Sequence, residues 1–307
     1  MEFFANECVR LPAIFDDNRI FLTVESSAGP LKFYTDSGGG LWPFVYDDAA
    51  DKLGMTVEKT ETDGEFKFGL SSFPSFFAAQ NIPLKANWQH HVRVFPYTMG
   101  GSDELSQSRV FLGDGFFGAS FFADGIWKFD YPNQILAACS ASLNVTGMSA
   151  VPMYFKNLGD ERLTHQPRIE IEVSGVKLFV LFDTGATSAL SKEARQTLSK
   201  DQIFMASSFI RKSVAQTWLQ QNPQWKVIKG GDRFSGGTDL IEVPEVILAG
   251  HKVGPVWFAM RDDEMYDKYS AEAFDARIDG AVGGNILRFF EIVADYPAAM
   301  LYVKKAN

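Results

Sequence analysis

Cysteine is scarce in this chain: Cys8 and Cys139 are the two it has in 307 residues. They are too far apart for a paired metal ligand or a CxxC redox motif. They are read as buried free thiols of a reducing compartment, with pairing across the first half as the alternative. Histidine is scarce too, and His90, His91, His165 and His251 form no HExxH or similar cluster. No metal and no cofactor is expected, and His90-His91 reads as a solvated strand or loop pair. Positive charge is in deficit, with 29 Lys and Arg against 38 Asp and Glu and a net charge of −9. Binding to phosphates rests on Lys and Arg, so nucleic acid and anionic membranes are poor partners. A bilayer span takes about 20 apolar residues, and no uninterrupted apolar run here is that long. The opening MEFFANECVRLPAIFDDNRI has neither the basic start nor the apolar centre of a secretory signal. A cytoplasmic location is therefore expected, or a periplasmic or secreted one if a signal has been removed. The sequon Asn144-Val145-Thr146 reads as chance.

What the chain does have is apolar residues, 46% with 28 Phe among them, and repetition. RIFLTVESSAGPLKFYTDSGGG begins at Arg19, and RIEIEVSGVKLFVLFDTGAT begins at Arg168. Each gives an alternating strand, a small-residue turn, an apolar strand and then Asp-Ser/Thr-Gly. A second pair, DGFFGASFFADGIWKFDYPN from Asp114 and DGAVGGNILRFFEIVADYPA from Asp279, aligns without gaps. The order of features is the same in both halves, so a duplicated domain is expected: one lobe over 1–150 carrying Asp36 and another over 151–307 carrying Asp183. Short strands punctuated by Gly, Asn, Asp and Pro predict an all-β fold. The polar segment 191–222, nearly free of Gly and Pro, is the main helical candidate and a helical insertion in the second lobe.

VLFDTGATSAL at 180–190 sets an acidic residue at the end of an apolar strand, a costly place for a lone charge. Duplicated halves pack about a pseudo-twofold axis, which brings Asp36 and Asp183 together. Two carboxylates a few ångströms apart share one proton. One then takes a proton from water while the other hydrogen-bonds a substrate carbonyl. Ser37 and Thr184 offer hydroxyls to brace the pair. Gly38 and Gly185 permit the tight turns, and Phe116-Phe117-Gly118 and Ala281-Val282-Gly283 are expected beneath them. Asp114, Asp279, Asp130 and Asp295 read as turn and strand-end residues.

These motifs resemble those of the pepsin-type and retroviral-type aspartic proteases: apolar-apolar-Asp-Thr/Ser-Gly followed far downstream by apolar-apolar-Gly. The likeness runs from about Arg19 to Val303. Each half is similar to a short retroviral-type (retropepsin-like) unit, yet both lie in one chain as in pepsin. The resemblance implies a bilobal acid-protease fold, catalytic Asp36 and Asp183, and a cleft covered by hairpin flaps. The implied activity is that of a monomeric aspartic endopeptidase cleaving extended peptide or protein substrates. Thr187 stands where the family braces the loop, while Gly40 leaves that place empty in the first half, and Thr35 replaces a large aliphatic residue. The flap candidates, 61–69 and 230–238, lack a pepsin-like tyrosine. The competing readings are a catalytically inactive peptide- or protein-binding module and a two-carboxylate glycoside hydrolase.

Overall fold

The computed structural model describes residues 7–40, 42–64, 66–83, 92–96 and 109–306, so the His90-His91 pair lies outside the described residues. The two matching hairpins form where alternation predicted them. Arg19–Ser26 pairs with Gly29–Thr35, and Arg168–Val173 with Val176–Phe182. The second strand of each ends buried, in Phe33-Tyr34-Thr35 and Val180-Leu181-Phe182. Apolar residues on both faces suit a strand covered from both sides.

Each strand then pairs in parallel with its apolar-apolar-Gly partner. Thr35 lies opposite Phe117, and Phe182 opposite Val282. The eight-stranded sheet of the first half runs Ala13–Asp16, Arg19–Ser26, Gly29–Thr35, Gly115–Phe117, Phe44–Tyr46, Val92–Phe95, Phe66–Ser71, Lys59–Asp63. From Arg168–Val173 onward the nine-stranded sheet of the second half repeats that order: Val176–Phe182, Gly280–Val282, Ser208–Arg211, Val256–Arg261, Thr238–Val243, Val227–Asp232. The fold is mostly β and bilobal, with matching topology in the two halves, as expected for an acid-protease fold.

A third sheet of six strands joins the halves. At its centre the two Asp-Tyr-Pro strands, Ile126–Asp130 and Phe290–Asp295, run antiparallel with Lys128 opposite Val293. Those two residues are repeat equivalents, 165 apart like Asp114 and Asp279. A residue that faces its own counterpart marks a local twofold axis. The outer strands obey the same symmetry, since Cys8–Arg10 pairs with Ile135–Cys139 and Ser149–Pro152 with Met300–Lys305. The main core cluster is continuous through both lobes, and Phe129 of one packs edge-on against Phe182 of the other, ring centroids 5.8 Å apart. Each such buried Phe contributes roughly 1.5–3 kcal/mol.

Two expectations need correction. Cys8 and Cys139 are not free thiols but form a disulfide. They sit directly opposite on neighbouring antiparallel strands, with Cα atoms 4.0 Å apart. Nothing local in the sequence announces a pairing across 131 residues. Segment 191–222 is helical at its two ends, Lys192–Leu198 and Lys212–Gln221, but Phe204–Ala206 and Ser208–Arg211 between them are strands. Apolar Phe204, Ile210 and their neighbours are drawn into the sheets, overriding the polar tone of the segment. The offset between halves rises from 147 at the aspartates to 165 at Phe44 and Phe209, which hold equivalent sheet positions. The insertion therefore lies before Phe209 and contains Lys192–Leu198. Lys212–Gln221 is the counterpart of the short helix Asp47–Lys52.

Candidate active site

Asp36 and Asp183 begin loops that are anchored alike. The Asp36 N–H donates to Phe117 O at 2.9 Å, and the Asp183 N–H to Val282 O at 3.0 Å. Each carboxylate accepts from the glycine two residues on, Gly38 N–H to Asp36 Oδ1 at 2.8 Å and Gly185 N–H to Asp183 Oδ1 at 2.9 Å. Ser37 and Thr184 lock the loops together reciprocally. The Thr184 N–H donates to Ser37 Oγ at 3.0 Å, and the Ser37 N–H to Thr184 Oγ1 at 3.1 Å. Each hydroxyl then donates to the opposite strand, Ser37 Oγ to Phe182 O at 2.8 Å and Thr184 Oγ1 to Thr35 O at 3.4 Å.

The loops cross so closely that each glycine lies against the other lobe's acid. A Cβ on Gly185 would stand 2.2 Å from Asp36 Cγ, and one on Gly38 would stand 2.6 Å from Asp183 Cγ. Only a residue without a side chain fits there. Both carboxyls line one cavity and lie close enough to perturb each other. Burial lifts the Asp183 carboxyl well above the usual range, and the negative charge of Asp36 lifts it further. Burial also raises Asp36, against the opposing hydrogen bonds from Asp183, Gly38 and Gly39. Both carboxyls are thus raised, as expected of two acids that compete for one proton. Among the described residues no Lys or Arg forms an ion pair with either.

Thr187 Oγ1 donates to Gly185 O at 3.1 Å and meets the Tyr34 hydroxyl at 2.7 Å. The remaining acids behave as turn formers. Asp114 and Asp279 each accept from the preceding hairpin strand, at Lys32 N–H and Phe179 N–H. Asp130 and Asp295 close the turns at Asn133 and Ala298. Among the described residues no cluster of three or more His, Cys, Asp or Glu is placed to hold a metal ion.

Above the pair opens a cavity of about 680 Å³ walled by Phe111, Phe209, Phe234, Tyr266 and Tyr269. Both flap candidates lie in hairpins, Lys59–Asp63 with Phe66–Ser71 and Val227–Asp232 with Thr238–Val243. Phe234, at the tip of the second, stacks near Phe111 of the first lobe, with centroids 5.4 Å apart. That hairpin is pinned by Asp232, fully buried, which pairs with Arg261 at 2.5 Å and accepts from Ala189 N–H and Phe234 N–H, both at 3.0 Å. Three contacts on the carboxylate loops escape a motif search: Tyr34 OH to Gly185 O, Tyr269 OH to Gly38 O, and Gln166 Nε2 to Gly39 O. Tyr34 alone leaves a trace, as a polar-tipped residue in an otherwise apolar strand end.

No known family profile matches the chain, and no curated protein does. Among solved structures, an aspartic proteinase from Irpex lacteus superposes with a TM-score of 0.49 at 11% identity, covering 98% of this chain and 98% of that one.

Proposed function

We propose that this chain is an aspartic-type endopeptidase that hydrolyses extended peptides through water activated by Asp36 and Asp183. The observation that carries the reading is a buried Asp183 and a half-buried Asp36, one from each lobe, held on crossing, alike-bonded loops at the floor of one apolar cleft. Ionised Asp36 takes a proton from the water. Protonated Asp183 hydrogen-bonds the scissile carbonyl, whose carbon the water oxygen attacks. Asp183 passes its proton to that carbonyl oxygen to give a tetrahedral diol. The C–N bond of the diol breaks as the proton on Asp36 passes to the leaving nitrogen and a diol hydroxyl returns its proton to Asp183, so the dyad ends with one proton as it began. No covalent adduct with the protein forms. A glycoside hydrolase of the retaining type holds its carboxyls about 5–5.5 Å apart and uses two acids in different environments. Here the two acids sit on near-copies of one loop with the same bonds to them, which favours peptide hydrolysis.

The extended cleft and its aromatic walls favour a peptide or protein as partner, and one chain supplies both acids, so a monomer is sufficient. The Cys8–Cys139 bridge favours an oxidising compartment over the cytoplasm, because disulfides of this kind seldom persist among reducing thiols. Incubation with a peptide library at pH 3 to 7 tests the activity. Cleavage is expected, with a bell-shaped profile, and it disappears in Asp36→Asn and in Asp183→Asn. Cleavage that survives either substitution refutes the dyad. Binding of peptides with no cleavage by the native protein instead supports a catalytically inactive peptide-binding module.

A further inference from the structure

We infer that Tyr34 and Tyr269 are positioning residues for the aspartate pair, each reaching from one lobe to grip the glycine carbonyl of the other lobe's carboxylate loop. The inference rests on the reading of that pair as catalytic. Tyr34, on the first-lobe strand Gly29–Thr35, donates to Gly185 O at 2.7 Å. Tyr269, on the second-lobe helix Asp263–Ala273, donates to Gly38 O at 2.7 Å. The gripped carbonyls belong to the peptide units whose N–H groups are those of Ala186 and Gly39. These two N–H groups bond the main-chain oxygens of the same aspartates, Ala186 to Asp183 O at 3.4 Å and Gly39 to Asp36 O at 3.3 Å, and their positive ends favour the ionised carboxylates. A hydrogen bond accepted by a peptide oxygen polarises its N–H, so each tyrosine strengthens, through one peptide, the donor that stabilises a carboxylate.

The duplication does not account for this matching pair. The repeat counterpart of Tyr34 is Leu181, which has no donor to offer. Tyr269 instead comes from a helix and serves the loop in which Gly40 leaves the brace position empty, whereas Tyr34 works beside Thr187. Two unrelated elements thus satisfy the same need on opposite sides of the local axis. Tyr34 is buried and Tyr269 half-buried, and both are held far above the ordinary tyrosine range, so they remain donors throughout the working pH.

The other titratable groups facing the pair do not change that. Tyr131, Tyr266 and Tyr296 are buried and likewise raised. Arg19 lies near Tyr34, and Arg261 is engaged by Asp232. Lys268 and Glu272 sit on the cleft wall beside Tyr269.

The test is a carbon-13 NMR titration of the two aspartate carboxyls in the intact protein, with peptide kinetics run alongside. Tyr34→Phe and Tyr269→Phe keep the rings and remove only the hydroxyls. The lower titration step of the pair is expected to move upward in Tyr269→Phe and the upper step in Tyr34→Phe, each by roughly half a pH unit. The acid limb of the activity profile should follow in Tyr269→Phe and the alkaline limb in Tyr34→Phe, and kcat should fall roughly three- to tenfold with KM within twofold. Tyr131→Phe, which removes a buried hydroxyl with no partner among the described residues, leaves the titration in place. Unchanged carboxyl titration in both tyrosine variants, or an equal shift in Tyr131→Phe, overturns the positioning role. Shifted titration in a protein that cleaves no peptide supports the positioning role and refutes the protease reading, so the two failures are distinct.

Discussion

A carboxyl group as buried as that of Asp183, with Asp36 pressed against it, binds its proton more tightly in the folded chain than in the unfolded one. Its folded value is raised, so its favourable contribution is complete below the ordinary carboxylate range and is lost as pH rises through the folded value. Near neutrality the group costs stability. Asp183→Asn keeps the oxygen that accepts from Gly185 and cannot ionise. It should melt at a higher temperature than the native protein at pH 7 and at nearly the same temperature at pH 3. Calorimetry at the two pH values checks this; a variant less stable at pH 7 would contradict the raised value. Gly185→Ala is the steric counterpart. The new methyl would meet Asp36 Cγ at 2.2 Å, and such overpacking costs about 1–3 kcal/mol. Peptide turnover should fall at least roughly a hundredfold, since a misplacement of about 1 Å has that effect. Asp36, Ser37, Asp183 and Thr184 were legible because their chemistry travels in a contiguous motif. Tyr269 was not, because it arrives from 231 residues away on a helix, with no local pattern to mark a hydroxyl aimed at a carbonyl.

At the scale of elements, the hairpin Val227–Val243 depends on a single buried ion pair. Asp232 also accepts two main-chain N–H groups, one of them from Ala189 beside the second carboxylate loop. Removing its cation strands a charge with no access to water. Arg261→Met should therefore cost about 3–5 kcal/mol. Hydrogen exchange should accelerate across 227–243 before it does so in the six-stranded sheet, and uniform protection would argue against this dependence. The Cys8–Cys139 bridge fixes Cys8–Arg10 to the edge of that sheet. The double variant Cys8→Ser, Cys139→Ser should lose about 2–4 kcal/mol in urea unfolding while the dyad titrates as before. The sheet strands were readable from alternation and from the repeat. The strands inside 191–222 were not, since Phe204–Ala206 and Ser208–Arg211 are too short to show a period and their partners lie up to 72 residues away.

For the whole molecule the decisive feature is the shared sheet. The repeat foretold two similar lobes, but in a boundary drawn at 150/151 nothing indicated that Ile126–Asp130 would pair with Phe290–Asp295 rather than end its own lobe. That pairing, and the continuous core around Phe129 and Phe182, leave neither half with a closed hydrophobic interior. A fragment 1–150 would expose the edge of Ile126–Asp130 along its full length, with the apolar face of Trp127 and Phe129 uncovered, an invitation to aggregation. A fragment 151–307 would expose Phe290–Asp295 in the same way. Each aspartate loop would also lose the reciprocal Ser37–Thr184 bonds that hold it. The intact chain is therefore expected to unfold in one cooperative transition followed by both tryptophan fluorescence and far-ultraviolet dichroism. The separate fragments should be poorly folded alone and recover native dichroism when refolded together. Two resolved transitions in the intact chain, or two fragments that each fold stably, would mean that the lobes are autonomous and that the central sheet is a consequence of their docking instead of the reason the chain folds as one.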